Sequence, residues 1–214
     1  MYDIFRSSFS KDYRVADESL ATLDIQGDDY RVSKLTSEFG GCSFDRALYR
    51  VMTPSSVEEW NQTIEYAFPN FDGRVQCFGC DWLGRIFALD SGRLEEGHPG
   101  VVMFEPGTGE ALEIPCNIVT FHNKELIEHR EAALAVSFHI QWLAQGSAPG
   151  YEECIGYKVP LFLNGKDVVE NLEVSDLDVY WTLIGQIIRK TMGLPLGSLL
   201  ANIVLTDEGE EGRV

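Results

Sequence analysis

The sequence predicts an α+β fold with a mainly antiparallel sheet and helices packed on one face of it. Helical patterns lie on both sides of a central series of short apolar runs, and turn residues separate those runs. The regular strand–helix–strand alternation of a parallel sheet is absent. The chain has 214 residues, of which 44% are hydrophobic, so it can bury a full core.

The first 50 residues give the weakest pattern. They contain polar clusters and a Gly40-Gly41 break, and a short helix over residues 12–23 is the only regular element that they suggest. We therefore expect an N-terminal arm or extension over residues 1–50 and an α+β domain over residues 51–205. The last nine residues, 206–214, predict a mobile acidic tail.

The first clear helix follows "TPSS". Ser55 and Glu58 have the spacing of a capping box, and Pro69 ends the helix. Its apolar residues recur on one helical face. They are Val57, Trp60, Ile64 and Ala67.

Four short runs then predict antiparallel strands: "RVQCFG", "RIFALD", "GVVMFEP" and "EALEIP". The last two runs, joined by residues 106–109, "PGTG", have the pattern of a hairpin. That segment has two of the three glycines of a dinucleotide-binding loop, but no helix signal follows it, so a turn is the better interpretation.

A helical region is expected from about Asn117 or Asn123 to Ala144, where the polar loop "QGSAPG" follows. The clearest helix of the chain is "VSDLDVYWTLIGQIIRKTMG", with a buried apolar stripe, Ser175 and Asp178 as caps and Gly193 at its end. After it, "LLANIVL" predicts one more strand.

Two groups of residues resemble metal or redox sites. Cys77 and Cys80 form a Cys-x-x-Cys pair, but a structural zinc site needs four ligands and no second pair completes it. We interpret them as small buried thiols.

His122 and His129 are two helical turns apart, too far to share one ion, so with Glu125 they predict a solvated helix face. No catalytic residue, metal or cofactor is predicted.

The formal charge of −17 limits the possible partners. Nucleic acid and anionic membranes would be repelled, whereas a basic protein would be attracted. The N-terminus lacks the pattern of a signal peptide and no apolar run reaches the length of a membrane span, so we expect a cytoplasmic protein.

Carboxylates are dense before the last helix, where they serve either as a binding surface or as a solvated loop. They are Asp167, Glu170, Glu173, Asp176 and Asp178.

The segment "GYKVPLFLNGKDVVENLEVSDLDVYWTLIGQI" resembles the C-terminal domain family of type VI secretion immunity proteins. The matching positions have an aromatic-x-x-Pro segment, then Asn-Leu-Glu and an aromatic-rich helix. They are Tyr157, Pro160, Phe162, Leu163, Gly165, Asn171, Leu172, Glu173, Tyr180 and Trp181. The region upstream resembles the same family and, more loosely, the SUKH superfamily of bacterial immunity proteins. The resemblance covers about residues 55–195 and implies a SUKH-like α+β fold.

From the resemblance and the charge we expect a non-enzymatic immunity protein that binds and occludes a basic cognate toxin, such as a nuclease. Its predicted contact residues are Glu170, Glu173, Asp176 and Asp178.

Two alternatives remain open. A regulatory or small-molecule-binding module of the same fold would need a pocket, for which Trp82, Phe87 and Tyr157 are candidates. A hydrolase would need two facing carboxylates.

Overall fold

The structure, a computed structural model, describes residues 1–19 and 30–191. Strands and helices alternate irregularly along this part of the chain. The strands are β1 Lys11–Arg14, β2 Cys42–Phe44, β3 Tyr49–Val51, β4 Val75–Asp81, β5 Ile86–Glu95, β6 His98–Glu105, β7 Glu110–Asn117, β8 Glu153–Tyr157 and β9 Leu172–Asp176. The helices are α1 Asp3–Ser8, α2 Tyr30–Phe39, α3 Val57–Ala67, α4 Ile118–Thr120, α5 Leu126–Glu128, α6 Arg130–Leu134, α7 Val136–Leu143 and α8 Leu177–Thr191. A π-helical segment, Phe121–Glu125, joins α4 to α5.

The first seven strands form one antiparallel sheet in chain order, β1 to β7. The predicted hairpin is present, with Glu105 opposite Glu110 across the β6–β7 turn. The remaining strands, β8 and β9, pair as a separate antiparallel ribbon. The α+β class and the antiparallel sheet are thus confirmed.

Helices cover both faces of this sheet, so the expectation that they pack on one face is wrong. Along β5, Phe87 belongs to the core that contains α1, α2 and the α4–α7 region, whereas Ile86 belongs to the core beneath α3 and α8. Strand β6 alternates in the same way, with Val101 on one side and Val102 on the other. The reason is the composition of β5 and β6, because strands that are apolar at successive positions are buried on both faces.

The described residues among the first 50 lie within the same sheet and core. Strands β1 and β2 extend the sheet beyond β3. In α1, Phe5 is fully buried and its ring packs against those of Phe39 and Tyr49. The helix expected over residues 12–23 is not formed in its described part, where Lys11–Arg14 is β1. The strand expected in "LLANIVL" and the tail 206–214 lie outside the described residues.

The predicted helices α3 and α8 are confirmed, but their caps differ from the prediction. The side chain of Asp176 accepts a hydrogen bond from Val179 N at 3.0 Å and caps α8, in place of Ser175 and Asp178. At α3, the Ser55 hydroxyl donates to Asp17 instead of closing a capping box with Glu58. In the part of the chain that the structure describes, no helix has the length and apolar character needed to cross a bilayer.

Candidate partner-binding surface

The four predicted contact residues lie on the β8–β9 ribbon and its two ends. Glu170 is in the turn before β9, Glu173 and Asp176 are in β9, and Asp178 is in the first turn of α8. All four are exposed, and within the described residues none of them forms an ion pair. Asp176 also lies directly opposite Glu153 of β8. The ribbon therefore places the like charges of Glu153 and Asp176 opposite each other, and neither carboxylate forms an ion pair with another described residue.

These residues do not form one continuous patch, because they border two different concavities. Asp176 and Asp178 line a cleft of about 520 Å³. Glu170 lines a separate cavity of about 640 Å³, and Glu173 lines neither. The acidic surface therefore has two separate parts, which are the cleft and the edge of the ribbon.

The cleft combines carboxylates with aromatic rings. Trp60 of α3 and Tyr151, in the loop before β8, supply the rings. None of its lining residues, all of which belong to the described ranges, is a lysine or arginine. The acidic residues come from distant parts of the sequence. They are Asp17, Glu59, Glu152, Asp176 and Asp178.

Two of these carboxylates also have structural roles. Asp176 caps α8, as described above. Asp17 accepts hydrogen bonds from Ser19 and Ser55, and these bonds hold the pKa of its carboxyl well below its usual range. Asp17 is therefore charged near neutral pH, and hydrogen bonds fix the position of both carboxylates.

Arg50 positions the loop that forms one wall of the cleft. Its side chain is fully buried and donates to the carbonyl oxygens of Gly150, Tyr151, Glu153 and Asp81 at 2.5 to 2.8 Å. These bonds tie β3 to the start of β8. Sequence patterns did not identify Arg50, because arginines are mostly exposed and its acceptors in the loop are 100 or more residues away.

The three candidate pocket residues of the alternative binding module, Trp82, Phe87 and Tyr157, do not line one pocket together among the described residues. Trp82 and Phe87 are fully buried core residues, and the Trp82 indole donates to Leu134 O at 2.9 Å. Only Tyr157 lines a cavity, the one of about 640 Å³. Large aromatic side chains near turns are typical of cores as well as of pockets, so the sequence did not distinguish the two.

The two cysteines of the Cys-x-x-Cys pair are buried, as interpreted. Cys77 is fully buried and Cys80 almost so, both are free thiols, and burial raises the pKa of Cys77. Among the residues that the structure describes, no three His, Cys, Asp or Glu side chains come together as a possible metal site.

The interpretation of His122 as part of a solvated helix face is wrong. His122 is fully buried, and its ring nitrogens contact the Tyr49 hydroxyl at 2.9 Å and Ile118 O at 2.7 Å. Rings of α1 and β4 surround it, including that of Phe5. The helical pattern around residue 122 did not reveal this, because α1 comes from a part of the sequence that gave no packing signal.

Residues 120–188 match the family model described as "T6SS immunity protein Tdi1, C-terminal". This match confirms the resemblance for that segment, which contains all four predicted contact residues. Among solved structures, the chain is similar to the crystal structure of Atu4351 from Agrobacterium tumefaciens, at 12% identity and a TM-score of 0.57. The similarity covers 87% of this chain and 89% of that one, and at this identity it shows a shared fold alone. No curated protein matches the chain.

Proposed function

We propose that this protein is a cytoplasmic bacterial immunity protein that binds a cognate toxin and occludes its active site. The family match over residues 120–188 supports the immunity role. In this proposal the toxin contacts the β8–β9 ribbon, the first turn of α8 and the acidic cleft beside them. Binding alone inhibits the toxin, so the protein needs no catalytic group of its own.

The unneutralised charge of this surface carries the proposal. Like charges directly opposite each other on neighbouring strands are destabilising. Glu153 and Asp176 are such a pair, and Glu173 and Asp178 add exposed carboxylates nearby. A basic partner would remove this repulsion on binding, so the surface is more favourable in a complex than alone.

A nuclease is the class of toxin that best fits this charge. A nuclease must hold phosphates in a basic cleft, and an inhibitor with a formal charge of −17 is attracted to such a cleft over long range. Complementary charge raises the association rate and directs the inhibitor to the site that nucleic acid would occupy.

The first experiment is capture of the partner from the native cell with the tagged protein at low and at high salt. We expect one stoichiometric basic polypeptide at low salt that is released as salt rises, because screening weakens charge pairing. Recovery of the protein alone, or of the same host protein at both salt concentrations, would contradict the proposal.

A charge-removal variant tests the surface itself. Glu170→Gln, Glu173→Gln, Asp176→Asn and Asp178→Asn together keep the side-chain shapes, and asparagine retains the α8 cap. We expect the variant to bind the captured partner at least about tenfold more weakly and with a smaller salt dependence, since each lost pair contributes up to about 1 kcal/mol.

The matched control removes four exposed carboxylates that lie outside the cleft and the ribbon. They are Asp72, Glu110, Glu113 and Glu128. An equal loss of affinity in this control would show that net charge, and not the proposed surface, determines binding.

A further inference from the structure

A second cavity, of about 640 Å³, lies at the other end of the β8–β9 ribbon from the acidic cleft. Its floor is the end of the main sheet, where Arg85 precedes β5 and Glu105 ends β6. Helix α7 and the loop that follows β8 form its walls. The cavity thus joins residues of the matched segment, 120–188, to residues of the sheet outside it.

The floor of this cavity holds two carboxylates that meet at one guanidinium. The Arg85 side chain is 6% exposed and pairs with Asp81, which is fully buried, at 2.5 Å. The same guanidinium donates to Ala133 O through Nη2. Glu105, whose side chain is 12% exposed, lies 3.6 Å from Arg85 Nε, beyond hydrogen-bonding distance. Among the described residues, the Arg85 guanidinium is the only cation within ion-pair distance of either carboxylate, and its contact with Glu105 is the longer of the two. The Arg50 guanidinium reaches only the backbone carbonyl of Asp81.

The β6–β7 turn adds an unsatisfied group. The hydroxyl oxygen of Thr108 is buried and has no hydrogen-bond partner among the described residues. The backbone N–H of Gly107 donates to one oxygen of Glu105 at 3.0 Å, so the turn also fixes this carboxylate. Buried polar groups without partners are rare in folded proteins, and a bound water, ion or ligand can satisfy such a group.

The remaining lining sets the shape and sign of the ligand. Leu83, Phe138 and Leu161 give an apolar wall. At the rim, the hydroxyl of Tyr157 donates to Asp167 at 2.7 Å. The carboxylates of Glu131 and Glu170 also line the opening, whereas Arg85, already paired with Asp81, is the only lysine or arginine in this described lining.

We propose that this cavity binds an organic cation, a guanidinium or ammonium group on a short apolar stem, with its charged head at Glu105 and Thr108. The head supplies Glu105 with a closer positive charge than Arg85 does and donates to the Thr108 hydroxyl, while the stem contacts the apolar wall. The cation is either a free small molecule or a basic side chain of a bound protein. The site does not depend on the proposed immunity role.

Proton release provides a signature of this binding mode. Burial, together with the nearby Asp81 charge, raises the pKa of Glu105 to about 7, so a fraction of the carboxyls is protonated near neutral pH. A bound cation favours the ionised carboxylate, so binding releases protons and strengthens as the pH rises from about 6 to about 8.

The test is titration calorimetry of the full chain with three probes. Agmatine represents a free cation, N-acetyl-L-arginine amide represents an arginine side chain within a protein, and 1-butanol is the neutral comparison. We expect saturable binding of at least one cation up to millimolar concentration, with a heat that changes with the ionisation enthalpy of the buffer. Agmatine alone would indicate a free ligand, and equal binding of the amide would indicate a partner's side chain.

Three variants decide the assignment. Glu105→Gln removes the carboxylate charge, and we expect it to weaken cation binding at least about tenfold and to abolish the proton release. Thr108→Val keeps the volume and removes the hydroxyl, so it tests the same site if the first variant does not fold. Glu128→Gln, an exposed residue outside the cavity, should change affinity by less than about twofold.

Three results would overturn the proposal. They are no saturable binding of either cation, binding of 1-butanol as tight as that of the cations, and unchanged affinity in both Glu105→Gln and Thr108→Val. Each is independent of whether the protein captures a toxin, so failure of this site and failure of the proposed function are distinguishable.

Discussion

Replacing Arg50 with methionine tests whether this buried guanidinium holds the wall of the acidic cleft in place. The substitution keeps an unbranched apolar stem of similar length and removes the donors to four carbonyl oxygens, those of Asp81, Gly150, Tyr151 and Glu153. The acceptors stay in the protein, so the variant measures the cost of leaving them without their donor.

The magnitude follows from these four bonds. A hydrogen bond to a charged group contributes about 1.5–3 kcal/mol, but the bonds share one side chain and are not additive. Three of the four involve a partly buried loop, where water can replace the lost donor, whereas the bond to Asp81 O is buried. A buried acceptor left without its donor costs about 1–3 kcal/mol, and for the four acceptors together, with water replacing some donors, we expect a loss of about 4 kcal/mol of unfolding free energy.

Denaturant unfolding followed by circular dichroism measures this loss, and Arg6→Met is the matched control. Arg6 has a 58% exposed side chain that pairs with Glu38, so its replacement should cost less than about 1 kcal/mol. Digestion with a protease that cleaves after glutamate should also be faster at Glu152 and Glu153 in the Arg50 variant. Equal stability losses in the two variants would refute the assigned role of Arg50.

Two further predictions concern the core and the β6–β7 turn. Burial lowers the pKa of His122 to about 4, because the folded protein holds this imidazole in its neutral form. The resulting stabilisation of the folded state, up to about 3 kcal/mol, is present above about pH 6.5 and is lost as the pH falls toward 4. Unfolding measured at about pH 7 and pH 5 should therefore show a smaller acid destabilisation for His122→Gln than for the natural chain, and equal losses would contradict this. Gly107→Ala places a Cβ 2.7 Å from a ring carbon of Tyr157 and should cost about 1–3 kcal/mol. The control Gly150→Ala meets only the flexible carboxylate of Glu153 at 3.2 Å, and identical melting temperatures for the two variants would argue against the contact.

Local patterns predicted the elements whose signal lies within one segment. The buried stripe of α8 is confirmed, with Trp181 fully buried and its indole donating to Gly84 O. The β6–β7 hairpin is confirmed for the same reason, since its turn residues and apolar runs are adjacent.

Long-range packing was not predictable from these patterns. The burial of His122 requires α1, and α1 has only six residues, too few for a periodic signal. The acidic cleft joins Asp17 and Glu59 to Asp178, which are separated by more than 100 residues, so no local pattern relates them. Composition did indicate that carboxylates would dominate the surface, but only the geometry divides them between two concavities.

The order of the strands determines when each face of the sheet is covered as the chain is synthesised. Each strand from β1 to β7 pairs with the one before it, so the sheet can form progressively from the N-terminus. Helix α8 comes last in the described part of the chain, yet Trp181 packs on the same side as Ile86 and Val102. Until α8 has left the ribosome, that apolar face lacks this cover and exposes its strands to aggregation. The part of the proposed binding surface at the start of α8 therefore appears only as the sheet becomes protected, and a chain truncated before α8 would lose that part and the cover of the sheet together.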